Sequence, residues 1–346
     1  MRIAVVNSMV PFVYGGSEFL IDSLVEKLNE YGHDARAVLL PVAWASAEEI
    51  EYGMMGMRLT KLENTDKMIA IKFPVYYIEH PNKTLWMVHQ FRQAYDLEGT
   101  EYNFFTQEHE HQKLKRAVMQ SDNANFKKLK GNIYVNSQVT ADRLKKFNGF
   151  DAKVLFPPLM DARRFYCDSY GDYAFYVSRV NHIKRQYVAV EAMRYVKSGV
   201  KLLLAGKGDI PEEENRIHRM IEEYGLSGKV TYLDRFVSQQ EKADYLSKAL
   251  CGLYLAYDED SYGYVTLECM HAKKPMITFT DSGGTDVVVH NDRTGYMVEP
   301  TPEALAEALD NMYENRKKTI EMGENCMPLL EELGITWENV IGSLTK

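Results

Sequence analysis

Short apolar runs alternate with segments of helical periodicity along almost the whole chain, and this alternation restricts the fold more than any other feature. Residues 1–7 form an apolar run of strand length, and residues 18–31 carry apolar side chains at helical spacing. Another apolar run at 35–40 completes a strand–helix–strand unit. Because such units repeat, we predict an α/β fold built on parallel sheets.

The repeating units divide into two halves, and each half has a glycine turn after a predicted strand. Gly15 and Gly16 follow the strand at 1–7, and Gly206 follows the strand at 201–205. The strands are predicted at 1–7, 35–40, 66–72, 83–89, 133–136, 153–156, 173–177, 201–205, 230–233, 253–256, 276–279 and 295–298. The helices are predicted at 18–31, 44–65, 108–130, 138–147, 186–196, 211–224, 239–250, 286–290, 302–314 and 337–344, with another that begins near residue 263. Two such halves indicate two Rossmann-like domains with a cleft between them.

Composition and charge exclude several classes of protein. A length of 346 residues, 45% hydrophobic and 26% charged, is typical of a soluble globular chain with room for two domains. The net charge of −8 argues against a nucleic-acid partner. The four cysteines show no paired spacing, so we expect reduced thiols in a cytoplasmic protein. We expect neither a membrane span nor a signal peptide, since the apolar runs are too short.

The stretch from 253 to 284 places acidic side chains at the carboxyl end of a predicted strand. A polar loop that contains Glu259 and Asp260 follows the strand, and Gly263 precedes a helix. Ligands of open α/β sheets bind at this edge, where a helix N-terminus attracts phosphate and carboxylates accept hydrogen bonds from hydroxyls. A phosphate beside hydroxyls describes a nucleotide-sugar. An ordinary βαβ unit with a solvated acidic loop is an equally good interpretation of this stretch alone.

The spacing of these residues resembles a known family. Asp260-x7-Glu268, with Tyr262-Gly263 inside it and Lys274-Pro275 after it, is similar to the E-x7-E motif of the family 4 retaining glycosyltransferases, which have the GT-B fold. The usual first glutamate falls on Asp260, whereas Glu259 lies one residue earlier. Either acid can therefore take that place.

The resemblance implies a binding site for a nucleotide-sugar donor in the second half. Arg179 and Lys184 match the family's Arg-x4-Lys pair, which neutralises the leaving diphosphate, and we call this pair the diphosphate clamp. Glu268 would accept from the ribose hydroxyls, and Asp260 or Glu259 from the sugar. The remaining donor-binding residues that the resemblance implies are Gly15, Gly16, Ser178, Gly206, Arg235, Phe236, Val237, Ser261, Tyr262, Gly263, Tyr264 and Val265.

Histidines and basic residues of the first half raise further possibilities. His89 ends the predicted strand 83–89, and the resemblance implies that it lies close to the transferred sugar and its phosphate. His109 and His111 are interpreted as surface residues, because HxH alone is weak evidence for a metal. The lysines and arginine between 113 and 130 are interpreted as a solvated face. The alternative for these cations is a surface for a phosphate-bearing acceptor or an anionic membrane.

These features together imply an α/β protein with the GT-B fold, in which two Rossmann-like domains have parallel sheets that face each other across a cleft. The predicted domains are 1–159 for the acceptor, 160–330 for the donor, and 331–346 as a C-terminal helix that crosses back to the first domain. The reaction that the resemblance implies is retaining transfer of a hexose from a nucleoside-diphosphate sugar to a carbohydrate or lipid-linked acceptor hydroxyl, with a UDP-sugar favoured and a GDP-sugar possible. Such transfers serve polysaccharide, glycolipid or glycoconjugate synthesis.

We expect no cofactor and no divalent metal ion, because the diphosphate clamp can take the place of the metal. The predicted location is the cytoplasm, with peripheral contact at the inner face of a membrane left open. Two other classes also stay open. One is a different GT-B enzyme, either an inverting transferase with His89 as its base, an epimerase or a phosphorylase. The other is a non-catalytic nucleotide-binding partner.

Overall fold

The computed structural model describes residues 1–12, 15–98, 103–129 and 131–346. Its strands are β1 (Arg2–Met9), β2 (Asp34–Pro41), β3 (Lys67–Ala70), β4 (Lys83–Met87), β5 (Ile133–Val135), β6 (Lys153–Val154), β7 (Tyr173–Val177), β8 (Lys201–Ala205), β9 (Val230–Leu233), β10 (Cys251–Tyr254), β11 (Met276–Phe279) and β12 (Gly295–Val298). In this part of the chain every strand pairing is parallel, so the predicted α/β class with parallel sheets is confirmed.

Helices connect these strands. The α-helices are α1 (Gly16–Glu30), α2 (Ala47–Leu59), α3 (His109–Lys128), α4 (Gln138–Asn148), α5 (Gln186–Ala192), α6 (Pro211–Glu223), α7 (Gln239–Lys248), α8 (Tyr264–His271), α9 (Pro302–Glu314), α10 (Arg316–Glu324), α11 (Cys326–Glu332) and α12 (Trp337–Leu344). Short 3-10 turns occur at Val75–Tyr77, Arg92–Ala94, Ala162–Arg164 and Gly284–Val287. Within the described ranges, none of these helices is both long and apolar enough to cross a membrane.

The chain divides into two compact units, and each has its own sheet. Unit 1 comprises Met1–Pro157 and Ile335–Lys346, with the strand order β2-β1-β3-β4-β5-β6. Unit 2 comprises Pro158–Gly334, with the strand order β12-β11-β10-β7-β8-β9. The limits at 157/158 and 334/335 fall within a few residues of the predicted domain limits at 159/160 and 330/331.

Both faces of the sheet in unit 1 are buried, as parallel sheets require. One face packs under α1 and the C-terminal helix α12, whose Val340, Ile341 and Leu344 join a core with Leu20 and Leu24. The other face packs against α2, α3 and α4. Helix α12 is therefore part of unit 1 although it lies at the end of the chain.

Several predicted helices differ from the observed helices, and side-chain contacts explain where two of them begin or end. Helix α2 begins at Ala47 rather than 44, because the Ser46 side chain accepts from the Glu49 backbone N–H as its N-cap. Helix α5 ends at Ala192 rather than 196, because the Asp310 carboxylate accepts from the backbone N–H groups of Lys197 and Ser198. The predicted helix at 286–290 is a 3-10 turn at Gly284–Val287, and helices α10 and α11 were missed.

Unit 1 buries a carboxylate that the sequence analysis did not single out. Asp122 is fully buried on α3 and accepts hydrogen bonds from three tyrosine hydroxyls, those of Tyr76 at 2.8 Å, Tyr77 at 2.6 Å and Tyr95 at 2.6 Å. Burial raises the pKa of Asp122 to about 6, and the tyrosine hydrogen bonds limit that rise. Because the folded pKa is raised, this group favours the folded state at low pH, and its contribution is lost as the pH rises through 6.

We expect Tyr76→Phe to destabilise unit 1 more at pH 7.5 than at pH 5. At pH 7.5 the ionised Asp122 loses a hydrogen bond to a charged group, which costs roughly 1.5–3 kcal/mol. At pH 5 the carboxyl is mostly protonated and needs fewer donors. Urea unfolding at both pH values measures the difference, with Tyr52→Phe on the exposed side of α2 as the control. Equal losses at the two pH values would contradict this explanation.

Candidate active site

The turn that follows β7 is fixed by a side chain from α5. The Nε2 group of Gln186 donates to Ser178 Oγ at 2.6 Å and to the Arg179 carbonyl at 2.8 Å. Gly206, at the end of β8, lies against this turn, and a Cβ atom there would lie 1.8 Å from the Ser178 carbonyl oxygen. Its φ of +143° is also a conformation that other residues rarely adopt. Only glycine therefore allows the turns after β7 and β8 to pack together.

The two cations of the diphosphate clamp lie in different surroundings. The Arg179 side chain is 75% exposed, and its guanidinium lies 3.1 Å from Asp209 Oδ1. The Lys184 side chain is only 18% exposed. Its ammonium forms an ion pair with Glu259 and lies 5.3 Å from the centre of the Tyr254 ring. Lys184 is thus the enclosed cation of the pair.

Arg185 is a structural residue of the site that the sequence analysis missed. Its guanidinium binds both Asp281 oxygens, at 2.9 and 2.7 Å, and its Nε donates to the Leu255 carbonyl at 2.6 Å. Arg185 thereby ties the start of α5 to the segments after β10 and β11. In the sequence, Arg185 is marked only by its position next to Lys184. Its partner Asp281 lies 96 residues further along the chain, so the ion pair could not be predicted.

The acid loop, residues 257–261, is held by the glycines that follow β11. The backbone N–H of Gly284 donates to the Glu259 carbonyl at 3.2 Å, and that of Asp258 donates to the Asp281 carbonyl at 3.0 Å. Gly283 has a φ of +72°, and a Cβ atom there would lie 2.1 Å from the Glu259 carbonyl oxygen. The fixed backbone of the loop explains how the Glu259 carboxylate reaches Lys184. Asp260 lies next to it and is half-buried.

The segment before α8 brings the loop back towards β10. Gly263 has a φ of +70°, and a Cβ atom there would lie 2.6 Å from the Tyr254 ring. Tyr262 is buried, whereas Ser261, Tyr264 and Val265 are half-buried around the start of the helix. The predicted helix start near residue 263 is therefore confirmed, with Gly263 as the N-cap residue.

Glu268, one turn into α8, carries a carboxylate that is only partly paired. The residue is 4% exposed, and Lys242 Nζ on α7 lies 2.5 Å from its Oε1. Its Oε2 is buried and has no hydrogen-bond partner within the residues that the structure describes. Burial raises the pKa of Glu268, and the charge of Lys242 opposes the rise without overcoming it. A buried carboxylate oxygen of this kind can accept from a ligand hydroxyl.

The segment after β9 contains an exposed arginine and an exposed aromatic ring. Arg235 is exposed and its guanidinium lies 2.8 Å from Glu241 Oε1. Phe236 is 80% exposed, whereas Val237 is buried. The Phe236 ring therefore lies at the surface, whereas Val237 packs in the interior.

The remaining predicted residues lie in unit 1. Gly15 is the N-cap residue of α1, and its backbone N–H donates to Glu18 Oε2 at 3.0 Å; Gly16 begins the helix. His89 follows β4 and its Nδ1 lies 2.6 Å from the Gln90 carbonyl oxygen. His109 is exposed and His111 is half-buried. Lys130, the last of the predicted basic residues, lies outside the described residues.

Part of unit 2 is similar in sequence to known proteins. Residues 168–326 match the family model of the glycosyl transferases group 1. The chain is 33% identical to a mouse protein, alpha-1,3/1,6-mannosyltransferase ALG2, over 129 residues, which are 36% of this chain and 30% of the relative. The chain thus spans less than a third of that relative's length.

Solved structures show the fold over the whole chain. Sucrose-phosphate synthase from Thermosynechococcus elongatus has a TM-score of 0.75 at 16% identity, covering 99% of this chain and 97% of its own. Anabaena Alr3699/HepE in complex with UDP-glucose has a TM-score of 0.67 at 13% identity, covering 98% of each chain. Residues 168–326 therefore match a glycosyl transferases group 1 domain, and the chain has the predicted GT-B fold with two parallel sheets.

Proposed function

We propose that this protein is a retaining glycosyltransferase that moves a hexose from a nucleoside-diphosphate sugar to an acceptor hydroxyl without a metal ion. The observation that carries the proposal is the enclosed Lys184, held by Glu259 at the carboxyl edge of the sheet in unit 2. A fixed cation at that edge suits a diphosphate leaving group. This edge also lies within the segment that matches the family model.

The donor nucleotide is best explained as UDP. Anabaena HepE, which shares the fold, was solved with UDP-glucose. The mouse relative is named a mannosyltransferase, so the transferred sugar fits a hexose in both cases. A GDP-linked sugar is the second choice. The acceptor would be a carbohydrate or lipid-linked hydroxyl compound.

The charged side chains of the candidate site in unit 2 have distinct roles in this proposal. Arg179 and Lys184 neutralise the diphosphate, and Glu268 accepts from the ribose hydroxyls with its Oε2. Glu259 positions Lys184, which leaves Asp260 to accept from the hydroxyls of the donor sugar. The exposed ring of Phe236 lies on the segment proposed to meet the base.

The chemistry would proceed on one face of the sugar. The clamp stabilises the charge that develops as the bond from the sugar to the diphosphate breaks. The leaving phosphate then takes the proton of the acceptor hydroxyl, and the new bond forms on the same face. In unit 1, Gly15 and Gly16 would face the acceptor and the diphosphate, and His89 would lie beside the transferred sugar.

An inverting transferase is the second candidate, and the geometry of His89 favours it as the base of such an enzyme. The Nδ1–H group donates to the Gln90 carbonyl at 2.6 Å, which places the acceptor lone pair of the neutral ring on Nε2. That tautomer could take a proton from an acceptor hydroxyl. A non-catalytic nucleotide-binding protein would bind the donor without turning it over.

One experiment separates these possibilities. The protein is incubated with UDP- and GDP-hexoses and a mixture of acceptors in excess EDTA, and the products are followed by proton NMR. We expect transfer to continue in EDTA, with the anomeric configuration of the donor kept in the product. Loss of activity that Mg²⁺ or Mn²⁺ restores would refute metal independence. An inverted anomeric signal would favour His89 as a base, and absence of turnover with a bound donor would favour the non-catalytic alternative.

A further inference from the structure

Unit 1 contains an aromatic cavity, and His89 is the residue of its lining to which the proposed donor chemistry gives a role. Its volume is about 370 Å³, and its lining includes Trp44, Phe73, His89, Phe91, Arg92 and Phe104. The residues Trp44, Phe73 and Phe91 follow the ends of β2, β3 and β4, in that order. The cavity therefore lies at the carboxyl edge of the sheet in unit 1, the edge at which open α/β sheets bind ligands.

The wall of the cavity is a set of aromatic rings in mutual contact. Phe73 and Phe91 stack with their centres 4.6 Å apart and an interplanar angle of 16°. Trp44 lies 5.8 Å from each of these rings. Because three different segments contribute rings that fix one another, the wall is rigid and apolar.

The polar side chains that line the cavity are already engaged by the protein. Arg92 forms an ion pair with Asp96 at 2.8 Å, and Lys72 donates to Ser17 Oγ at 3.2 Å. The amide oxygen of Gln93 accepts from the Phe104 backbone N–H at 2.6 Å, which fixes that ring at the cavity.

These contacts bear on the kind of ligand that the cavity can take. Arg92 shares the Asp96 carboxylate with Arg143, which lies 3.6 Å from it, and Lys72 lies 3.7 Å from Glu18. A sugar in the cavity would need hydrogen-bond partners for several hydroxyls, whereas these groups bond to the protein. The aromatic lining suits a ligand that presents hydrocarbon rather than hydroxyls.

We propose that this cavity binds a hydrocarbon part of the acceptor and so selects acceptors that carry an apolar chain on the sugar. The inference rests on the proposed function, because it takes His89, which lines the cavity, to lie beside the transferred sugar. The acceptor hydroxyl then lies beside His89, and the apolar chain lies against the aromatic wall. Each buried methylene strengthens binding about fourfold, so even a partly buried chain gives a large preference.

The test compares octyl and methyl glycosides of the same hexose as acceptors, with the donor at saturation. We expect the KM of the octyl glycoside to be at least tenfold lower than that of the methyl glycoside. Phe104→Ala removes one wall of the cavity and should reduce this ratio to below threefold. Tyr52→Ala, at an exposed aromatic residue on α2, is the matched control and should keep the ratio.

A binding measurement without donor keeps the inference independent of turnover. The tryptophan fluorescence of the full chain is titrated with octyl glycoside below its micelle concentration, and Trp44→Phe identifies the part of the signal that belongs to the cavity. We expect a saturable Trp44 response to the octyl glycoside and none to the methyl glycoside. If the protein turns over no donor, the proposed function fails, and a Trp44 response to the octyl glycoside would still show that the cavity binds hydrocarbon.

Two results would overturn the inference. The first is equal KM values for the two glycosides in an enzyme that transfers sugar, without a Trp44 response to the octyl compound. The proposed function would then stand and the apolar acceptor would not. The second is an equal Trp44 response to methyl and octyl glycosides, which would make the aromatic wall a stacking surface for the sugar ring itself.

Discussion

Replacing Lys184 by alanine should lower kcat/KM for the nucleotide-sugar donor by about a hundred- to a thousandfold, the usual effect of removing a fixed group that stabilises a leaving oxyanion. The side chain is enclosed and forms an ion pair with Glu259. Its removal therefore loses a cation and also leaves a carboxylate close to the proposed diphosphate site. Steady-state kinetics and calorimetry with UDP and GDP measure the loss of turnover and of affinity.

Variants of neighbouring residues show whether the loss of the positive charge at Lys184 causes the loss of activity. Arg179→Ala should cost about tenfold, less than Lys184→Ala, because an exposed and screened cation contributes less. Lys184→Ala combined with Glu259→Gln should regain part of the nucleotide affinity, since the uncompensated carboxylate is gone. Lys201→Ala, which removes an exposed lysine at the start of β8, is the control. Unchanged nucleoside diphosphate affinity in Lys184→Ala would rule out the clamp.

Local periodicity was sufficient to predict the α/β class with parallel sheets, because such a protein is built from short repeating units. The GT-B fold was implied by the family resemblance. Strand β7 at Tyr173–Val177 and helix α9 at Pro302–Glu314 have the predicted bounds. The strand predicted at 253–256 instead spans Cys251–Tyr254, since its pairing with β11 sets the register from Gly252. Helices α10 and α11 are short, with nine and seven residues, which gives little room for a periodic pattern, and Met322 is buried in a core formed with residues of other elements.

Candidate site residues could be proposed from the sequence where they share one segment. Arg179 and Lys184 are five residues apart, and Asp260 and Glu268 are eight apart, so both pairs could be matched to motifs of the family that the chain resembles. The partners that fix these residues come from elsewhere in the chain. Lys242 reaches Glu268 across 26 residues.

The roles of Glu259 and Asp260 could not be distinguished from the sequence for the same reason. The spacing to Glu268 favours Asp260, whereas the structure pairs Lys184 with Glu259. That pairing depends on the turn that Gly283 allows beside the loop, and the sequence gives no measure of such a contact. Spacing could suggest which segment to propose as the donor site, but the different roles proposed for the adjacent acids rest on backbone packing.

Glu268→Gln should weaken the binding of both free nucleoside diphosphate and nucleotide-sugar by about five- to a hundredfold, as expected when a buried acceptor of ligand hydroxyls is lost at roughly 1–3 kcal/mol. The buried Oε2 of Glu268 is the proposed acceptor, and Lys242 holds the other oxygen. Because the lost contact is to the ribose, which both ligands carry, the two affinities should fall together.

The pH dependence of binding gives a second readout of the same carboxylate. Burial raises the pKa of Glu268, so its ionised form is lost as the pH falls through that raised value, and nucleotide affinity should fall with it. Lys242→Met removes the charge that opposes the rise, so the fall in affinity should begin at a higher pH than in the native protein. Glu268→Gln has no carboxyl to titrate at this position and should lose this pH-dependent step.

Calorimetry with UDP between pH 5 and 8 measures these effects in the native protein, Glu268→Gln and Lys242→Met. Glu223→Gln, at an exposed glutamate at the end of α6, is the matched control and should follow the native curve. If Glu268→Gln weakens the nucleotide-sugar but leaves free UDP unchanged, the carboxylate contacts the sugar rather than the ribose. If Lys242→Met leaves the pH curve unmoved, Lys242 does not set the ionisation of Glu268, and the ion pair serves only the packing of α7 on α8.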